Sequence, residues 1–208
     1  MNKSEKFWDK RSKEYDKQEK KYEQDYNKII ENTKKYLNTN DIVLDYACGT
    51  GIITNKIAKN IKEIHAIDIS SKMIDVAKRK ADERDIQNIN YAQLTIFDDR
   101  YKNESFNVIL AFNILHLLED AQKVMQRINE LLKPEGLFIS ATACMGEKKS
   151  FIGFLLFLLN KMRIIPHTKF LKFSELEGLI ANENFQIIKT EDLHDTPPSY
   201  FVVAKKQY

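Results

Sequence analysis

Short apolar runs and amphipathic stretches alternate along the middle of the chain. The apolar runs predict five strands, at residues 42–44, 64–67, 89–94, 106–112 and 137–143. Between them, residues 51–60 and 119–132 have the pattern of helices, and the second helix is expected to end at the Lys133-Pro134-Glu135-Gly136 turn. Strands that alternate with helices are typical of a mostly parallel sheet covered on both faces. The pattern therefore predicts a doubly wound α/β core with right-handed connections.

The two ends of the chain follow other patterns. The first 40 residues mix Lys and Glu with aromatic residues, which indicates a largely solvated pair of amphipathic helices. Near the other end, Ser174 and Glu177 have the spacing of a capping box and predict a helix that ends near Asn184. Residues 185–188 and 200–204 then predict two strands with no helix between them, and hence an antiparallel pair at the sheet edge.

These elements fit one domain of 208 residues, which is long enough to bury a substantial core. We expect four parts: a helical cap at 1–40, a ligand-binding core at 41–143, an insertion at 144–173 that covers the substrate, and a closing helix and strand pair at 174–208.

Composition narrows the function classes. The net charge of +3 gives no sign of the basic patch that nucleic-acid proteins carry, so we expect no nucleic-acid partner. The two cysteines have no metal-ligand spacing, so neither a disulfide framework nor a metal site is expected. The charged N-terminus lacks the apolar segment of a signal peptide, and a cytoplasmic location is expected.

The most informative segment runs from Val43 to Gly51, where a short apolar strand leads into a turn of small residues. Such a turn lets the backbone approach a ligand at the carboxyl end of a strand, which is where open α/β sheets bind ligands. The G-x-G-x-x-G fingerprint of dinucleotide sites is incomplete, because its third glycine would fall at Thr54 or Ile52.

Asp68 ends the second predicted strand, 19 residues after Gly49 (68 − 49). A carboxylate in this place can accept hydrogen bonds from both hydroxyls of a ribose. An Asp after a strand can instead cap the helix that follows, but its distance from the glycine turn favours the ribose.

With these two elements the chain resembles the class I S-adenosylmethionine (SAM)-dependent methyltransferases. Leu44-Asp45-x-Ala47-Cys48-Gly49-Thr50-Gly51 is similar to the first motif of that family, and Ala66-Ile67-Asp68-Ile69-Ser70-x-x-Met73 is similar to its acidic loop. Leu131-Leu132-Lys133-Pro134-x-Gly136 resembles the motif before the fifth strand. The resemblance covers residues 40–143 and implies a Rossmann-like, doubly wound seven-stranded sheet, mostly parallel with an antiparallel strand at the C-terminal edge, with N-terminal helices and a helical lid.

The resemblance also implies roles for single residues around bound SAM. Asp45 would anchor the methionine amino group, and Asp68 the ribose hydroxyls. The remaining cofactor-binding positions are Ala47, Gly49 and Gly51 under the methionine and ribose, Ile69 and Met73 against the adenine, Thr95 and Ile96 beside it, and Ala111 and Phe112 at the methionine end. Ala47 replaces the usual first glycine, which is tolerable if its φ is negative. Thr95 replaces an Asp that is common in the family.

The expected activity is methyl transfer from SAM to a small acceptor, with S-adenosylhomocysteine as the other product. His116 is the candidate general base, although a histidine at a helix start can simply bind backbone or solvent. Tyr15 is a candidate to close over the sulfonium, or else a core aromatic residue. Thr196-Pro197-Pro198-Ser199-Tyr200 imitates the motif of nucleic-acid amino methyltransferases, but lies near the C-terminus instead of after the fourth strand, which argues against a nucleic-acid substrate.

The insertion indicates a hydrophobic or lipid-like acceptor. Its apolar run at 151–159 is followed by basic residues, so the segment 151–172 either completes the core as a lid or makes a peripheral contact with a membrane. Two other functions stay open at this point: a SAM-binding regulatory or interaction protein without turnover, and a nucleoside- or NAD-binding enzyme on a related fold. The sequence predicts no oligomeric state.

Overall fold

The computed structural model describes residues 3–148, 159, 160, 162, 167–195 and 197–207. Its centre is a seven-stranded sheet in the order β3-β2-β1-β4-β5-β7-β6. The strands are β1 (Ile42–Tyr46), β2 (Glu63–Asp68), β3 (Ile89–Gln93), β4 (Phe106–Phe112), β5 (Leu132–Ala143), β6 (Phe185–Asp195) and β7 (Pro198–Lys206).

Strands β1 to β5 are parallel to one another, and β7 is antiparallel to both β5 and β6. The chain order reverses between β1 and β4, the central pair that joins Val43 to Val108 and Asp45 to Leu110. Open α/β sheets bind ligands at such a switch point, outside the carboxyl ends of the strands. The predicted doubly wound sheet with an antiparallel pair at its edge is therefore confirmed.

Helices lie before the sheet and on both of its faces. They are α1 (Lys3–Arg11), α2 (Tyr15–Glu19), α3 (Glu23–Lys34), α4 (Thr54–Ile57), α5 (Ser71–Asp82), α6 (Ala121–Leu131) and α7 (Phe173–Ala181). Helix α4 is shorter than the predicted 51–60, because the glycine turn occupies the first residues of that range and a 3₁₀ turn at Ala58–Asn60 follows it.

The alternation of side chains along β4 explains why both faces of the sheet are covered. Val108 and Leu110 join a core cluster that includes buried residues of α3, α4 and α5, whereas Ile109 and Ala111 join the cluster of α6 and α7. Successive residues of a strand point to opposite faces, so a continuous apolar strand needs two apolar layers. Each fully buried aliphatic side chain of this kind contributes about 1.5–3 kcal/mol.

The start of α7 differs from the prediction. Its N-cap is Lys172, whose backbone N–H donates to Glu175 Oε2 at 2.7 Å, so the capping carboxylate is Glu175 and not Glu177. Glu177 instead accepts a hydrogen bond from the Tyr200 hydroxyl at 2.6 Å, which ties α7 to β7. Asn184 adopts the predicted left-handed conformation with φ 61°, three residues after the helix ends at Ala181.

Half of the predicted lid, including residues 151–158 of its apolar run and the segment 163–166, lies outside the described residues. Among the residues that the structure does describe, no helix is both long and apolar enough to cross a membrane.

Candidate active site

The turn after β1 has an unusual backbone. Ala47, Gly49 and Gly51 all have positive φ, at 61°, 55° and 71°. The Cys48 N–H donates to Ile67 O at 3.0 Å and the Gly51 N–H donates to Cys48 O at 3.0 Å, so the turn is fixed to the end of β2. The condition under which Ala47 would be tolerated without strain, a negative φ, is not met, and this residue holds a left-handed conformation that costs a non-glycine residue about 1–2 kcal/mol.

The two glycines of the turn serve different purposes. A Cβ added to Gly51 would lie 2.6 Å from Tyr91 Oη and 3.2 Å from Ala77 Cβ, so Gly51 allows the turn to pack against α5 and β3. A Cβ added to Gly49 would meet no atom within 4 Å. Gly49 therefore faces open space and is, of these two glycines, the one that leaves room for a ligand.

Asp68 lies beside the turn at the end of β2. Its Oδ2 accepts the Gly49 N–H at 3.0 Å and its Oδ1 accepts the Ser70 N–H at 2.8 Å. The cap of α5 is Ser70, whose Oγ accepts the Met73 N–H at 3.1 Å, so the helix-cap alternative for Asp68 is wrong. Burial raises the pKa of Asp68, while the two backbone hydrogen bonds oppose that shift.

A cavity of about 530 Å³, here called the cofactor cleft, opens over these two features. It brings together six of the predicted cofactor-binding residues: Ala47, Gly49, Asp68, Ile69, Met73 and Phe112. Its size is typical of a small-molecule site. The cleft lies at the carboxyl ends of β1, β2 and β4, as the fold requires.

Other predicted residues do not line the cleft. Ile96 and Ala111 are fully buried in the core cluster of α6 and α7, so their side chains are not available to a ligand there. Thr95 is exposed, and Gly51 is the turn residue that packs against α5 and β3.

Asp45 lines a smaller cavity of about 40 Å³. This cavity shares Ala47, Gly49 and Phe112 with the cofactor cleft. The Thr54 hydroxyl donates to Asp45 Oδ2 at 2.5 Å, and burial raises the pKa of Asp45 to about 7. A buried carboxylate without a cation partner is costly, so a cationic group placed here would be stabilised.

The first helices cover the cleft and are attached to its two turns. Asp9 of α1 accepts a hydrogen bond from the Ser70 hydroxyl at 2.6 Å. Asp16 of α2 accepts one from the Thr50 hydroxyl and forms an ion pair with Lys80 at 2.5 Å. The segment predicted to be a solvated helix pair is therefore part of the site.

Of the two candidate catalytic residues, Tyr15 lines the cofactor cleft and His116 does not. His116 lines a second cavity of about 280 Å³, here called the second cavity. The two cavities meet at four shared residues: Trp8, Tyr15, Asn113 and Leu117. Burial raises the pKa of Tyr15, so this residue stays a neutral phenol near pH 7. Burial lowers the pKa of His116 to about 4, so its imidazole is neutral as well.

The sequence analysis did not identify Trp8 and Leu117 as residues that line both cavities. A signal for Trp8 was present, since Trp8, Tyr15 and Tyr22 recur every seven residues and all three line the second cavity. No comparable signal marks Leu117, which reaches the cleft only because a 3₁₀ turn at Leu115–Leu117 follows β4.

Comparisons with known proteins agree with this geometry. A methyltransferase domain family model matches residues 37–186 of the chain. The ubiquinone biosynthesis O-methyltransferase of Rickettsia bellii is 27% identical over 86% of this chain and 81% of its own length.

Two solved structures show the same fold. The YcgJ protein of Bacillus subtilis has a TM-score of 0.72 at 16% identity, covering 88% of this chain and 99% of its own. A phosphoethanolamine N-methyltransferase of Haemonchus contortus, solved with phosphomonomethylethanolamine and S-adenosylhomocysteine, has a TM-score of 0.73 at 16% identity, covering 88% of this chain and 53% of its own. With the family match over most of the chain, the glycine turn beside Asp68 and the shared fold, the chain belongs to the methyltransferase domain family and is a class I SAM-dependent methyltransferase.

Proposed function

We propose that the chain transfers the methyl group of SAM to a small, hydrophobic or amphipathic acceptor and releases S-adenosylhomocysteine. The observation that carries this proposal is the contact between two cavities of about 530 and 280 Å³, which share Trp8, Tyr15, Asn113 and Leu117. A displacement at carbon needs donor and acceptor in line across such a junction.

The residues of the cofactor cleft fit SAM. Asp68 offers carboxylate oxygens to the ribose hydroxyls, and the open space over Gly49 admits the ribose and methionine parts. Ile69 and Met73 supply apolar surface for the adenine. Asp45, buried and without a cation partner among the described residues, would hold the methionine ammonium from the small cavity next to the cleft.

When bound, SAM supplies an electrophilic methyl group on a sulfonium, so the chain needs only to position the acceptor and keep water out. Trp8 and Tyr15 cover the junction from the N-terminal side. The neutral phenol of Tyr15 can donate a hydrogen bond, and the neutral imidazole of His116 can accept or donate one. The protein thus orients the nucleophile without placing a fixed charge of its own at the junction.

We also propose that the segment 151–172, with its apolar run and basic flank, makes a peripheral membrane contact. We further propose a cytoplasmic location for the protein. The name of the relatives, an O-methyltransferase, suggests a hydroxyl as the methyl acceptor.

Calorimetric titration with SAM, S-adenosylhomocysteine and NAD tests the cofactor assignment. We expect the first two to bind and NAD to bind far more weakly, and tight binding of NAD alone would overturn the proposal.

Incubation with methyl-labelled SAM and an extract of metabolites and lipids then tests turnover. A labelled small molecule is expected, and binding of SAM with no labelled product in any fraction would favour a regulatory protein.

A further inference from the structure

The second cavity has aromatic walls. Trp8, Tyr15, Tyr22 and Tyr26 line it, and they come from α1, from α3 and from the residues between them. Trp8 and Tyr15 pack edge to face, with ring centroids 6.2 Å apart. Aromatic faces carry negative charge density and attract cations, with a strength that grows when the site is dry.

The same cavity carries two carboxylates that no cation neutralises. Glu19 and Asp25 both line it, and within the described part of the chain neither takes part in an ion pair. The Tyr26 hydroxyl donates to Glu19 Oε2 at 2.9 Å, which fixes one carboxylate against an aromatic wall. The one cationic side chain of the lining, Arg11, is exposed, donates to Gln18 Oε1 at 2.8 Å and lies over the Phe7 ring at 5.1 Å. With two carboxylates against one guanidinium, and with His116 and His194 counted as neutral, the described lining carries a net negative formal charge.

His116 adds an unused polar group. The residue is buried, with an exposed fraction of 8%, and Nδ1 has no hydrogen-bond partner among the described residues. Leaving a buried polar atom without a partner costs about 1–3 kcal/mol, so this wall of the cavity holds a polar group whose hydrogen-bonding capacity is unused. Because the imidazole is neutral, it does not offset the two carboxylates.

From this arrangement we infer that the second cavity binds the methyl acceptor through a basic nitrogen, so that the acceptor is a small amine with an apolar or aromatic body. The inference rests on the proposed function, since it assigns the acceptor class of that same site. The aromatic walls hold the body of the molecule and the ammonium form, while Glu19 and Asp25 select its charge.

The charge balance of the reaction points the same way. The bound ammonium first loses a proton to water, and the nitrogen lone pair then forms the N–CH₃ bond while the S–CH₃ bond breaks with its electron pair on sulfur. The products are a methylammonium and a neutral thioether, so one positive charge moves from sulfur to nitrogen. Glu19 and Asp25, which line the same cavity, stabilise that charge as it develops. An acceptor that reacts as an oxyanion would instead be repelled by both.

Three probes of similar shape and different charge test the inference: 2-phenylethylamine, 2-phenylethanol and 3-phenylpropanoate. Each is titrated calorimetrically into the protein saturated with S-adenosylhomocysteine. We expect the amine to bind most tightly and the carboxylate least. In the double variant Glu19→Gln/Asp25→Asn, binding of the amine should weaken about tenfold or more, because charge-assisted hydrogen bonds are lost. Binding of the alcohol should change little.

The matched control is Glu23→Gln, which removes one exposed carboxylate from the same helix as Asp25 without touching the lining of the second cavity. It should leave binding of the amine unchanged. The inference fails if the alcohol or the carboxylate binds as tightly as the amine, if no probe binds, or if the double variant keeps the affinity of the parent protein. Binding of S-adenosylhomocysteine is measured separately in every variant, so its loss would signal failure of the proposed function or of folding, distinct from failure of the acceptor class.

Discussion

The cofactor cleft and the second cavity are built in contrasting ways. Five of the predicted cofactor-binding residues that line the cleft come from two turns within residues 47–73, and the rest of its lining comes mainly from the N-terminal helices and from residues 112–119. The second cavity combines α1 and α3 with residues that follow β4 and with the turn between β6 and β7. These five cofactor-binding residues form a local structure that two motifs encode. The second cavity depends on how distant segments pack.

This contrast explains why the family was identifiable and the acceptor was not. The predicted SAM contacts lie close together in the sequence, in two motifs whose spacing can be read from the chain alone. The acceptor differs between enzymes, and its site is made by loops and added helices on a shared scaffold.

Substitutions of the two glycines in the turn after β1 should have different effects: one should abolish binding of SAM, and the other should lower stability. Gly49→Val places a branched side chain in the open space of the cleft at φ 55°, and we expect binding of SAM to be abolished while the chain stays folded. Gly51→Ala brings a Cβ to 2.6 Å from Tyr91 Oη at φ 71°, and we expect a loss of stability of at least about 1 kcal/mol. Calorimetry with SAM and thermal unfolding check the pair. Retained binding in Gly49→Val would mean that the turn does not approach the cofactor.

Replacement of Asp68, the carboxylate at the end of β2, should weaken binding of SAM in the cofactor cleft without changing the second cavity. We expect Asp68→Ala to lower the affinity for SAM by about 1–3 kcal/mol, because charge-assisted hydrogen bonds to the ribose are lost. The control is Asp82→Ala, an exposed carboxylate at the end of α5, which should bind SAM as the parent does. Equal affinities in both variants would remove the ribose assignment.

Asp45 should make stability depend on pH. Its pKa is raised by burial from an ordinary value of 3.8 to about 7 in the folded chain, so the folded state binds more protons than the unfolded state in that interval. The SAM-free protein should therefore lose stability as pH rises from about 4 to about 7. Asp45→Asn should flatten this slope, with a remainder from Asp68, whose pKa is also raised. Thermal unfolding across this interval measures it, and an unchanged slope in the variant would show that Asp45 is not the group responsible.

The smallest effect concerns the first position of the turn. Ala47→Gly removes the cost of a left-handed conformation at φ 61°, and we expect the protein to gain up to about 1 kcal/mol of stability. Binding of SAM should stay close to that of the parent, because the backbone path is unchanged. Chemical denaturation gives the free energy of unfolding, and a loss of stability would mean that the Ala47 methyl group makes packing contacts worth more than the strain.

The sequence by itself determined the doubly wound sheet, the antiparallel pair at its edge and the family, since periodicity and turn chemistry are properties of neighbouring residues. The spacing of two motifs also predicted that Gly49, Asp68, Ile69 and Met73 lie around one ligand, and all four line the cofactor cleft. Tertiary structure alone decided that Ile96 turns into the core, that Ala47 has a positive φ, and that His116 belongs to the second cavity instead of the cleft. Each of these depends on which distant segment packs against the residue, and that information is not carried by the residues beside it in the chain.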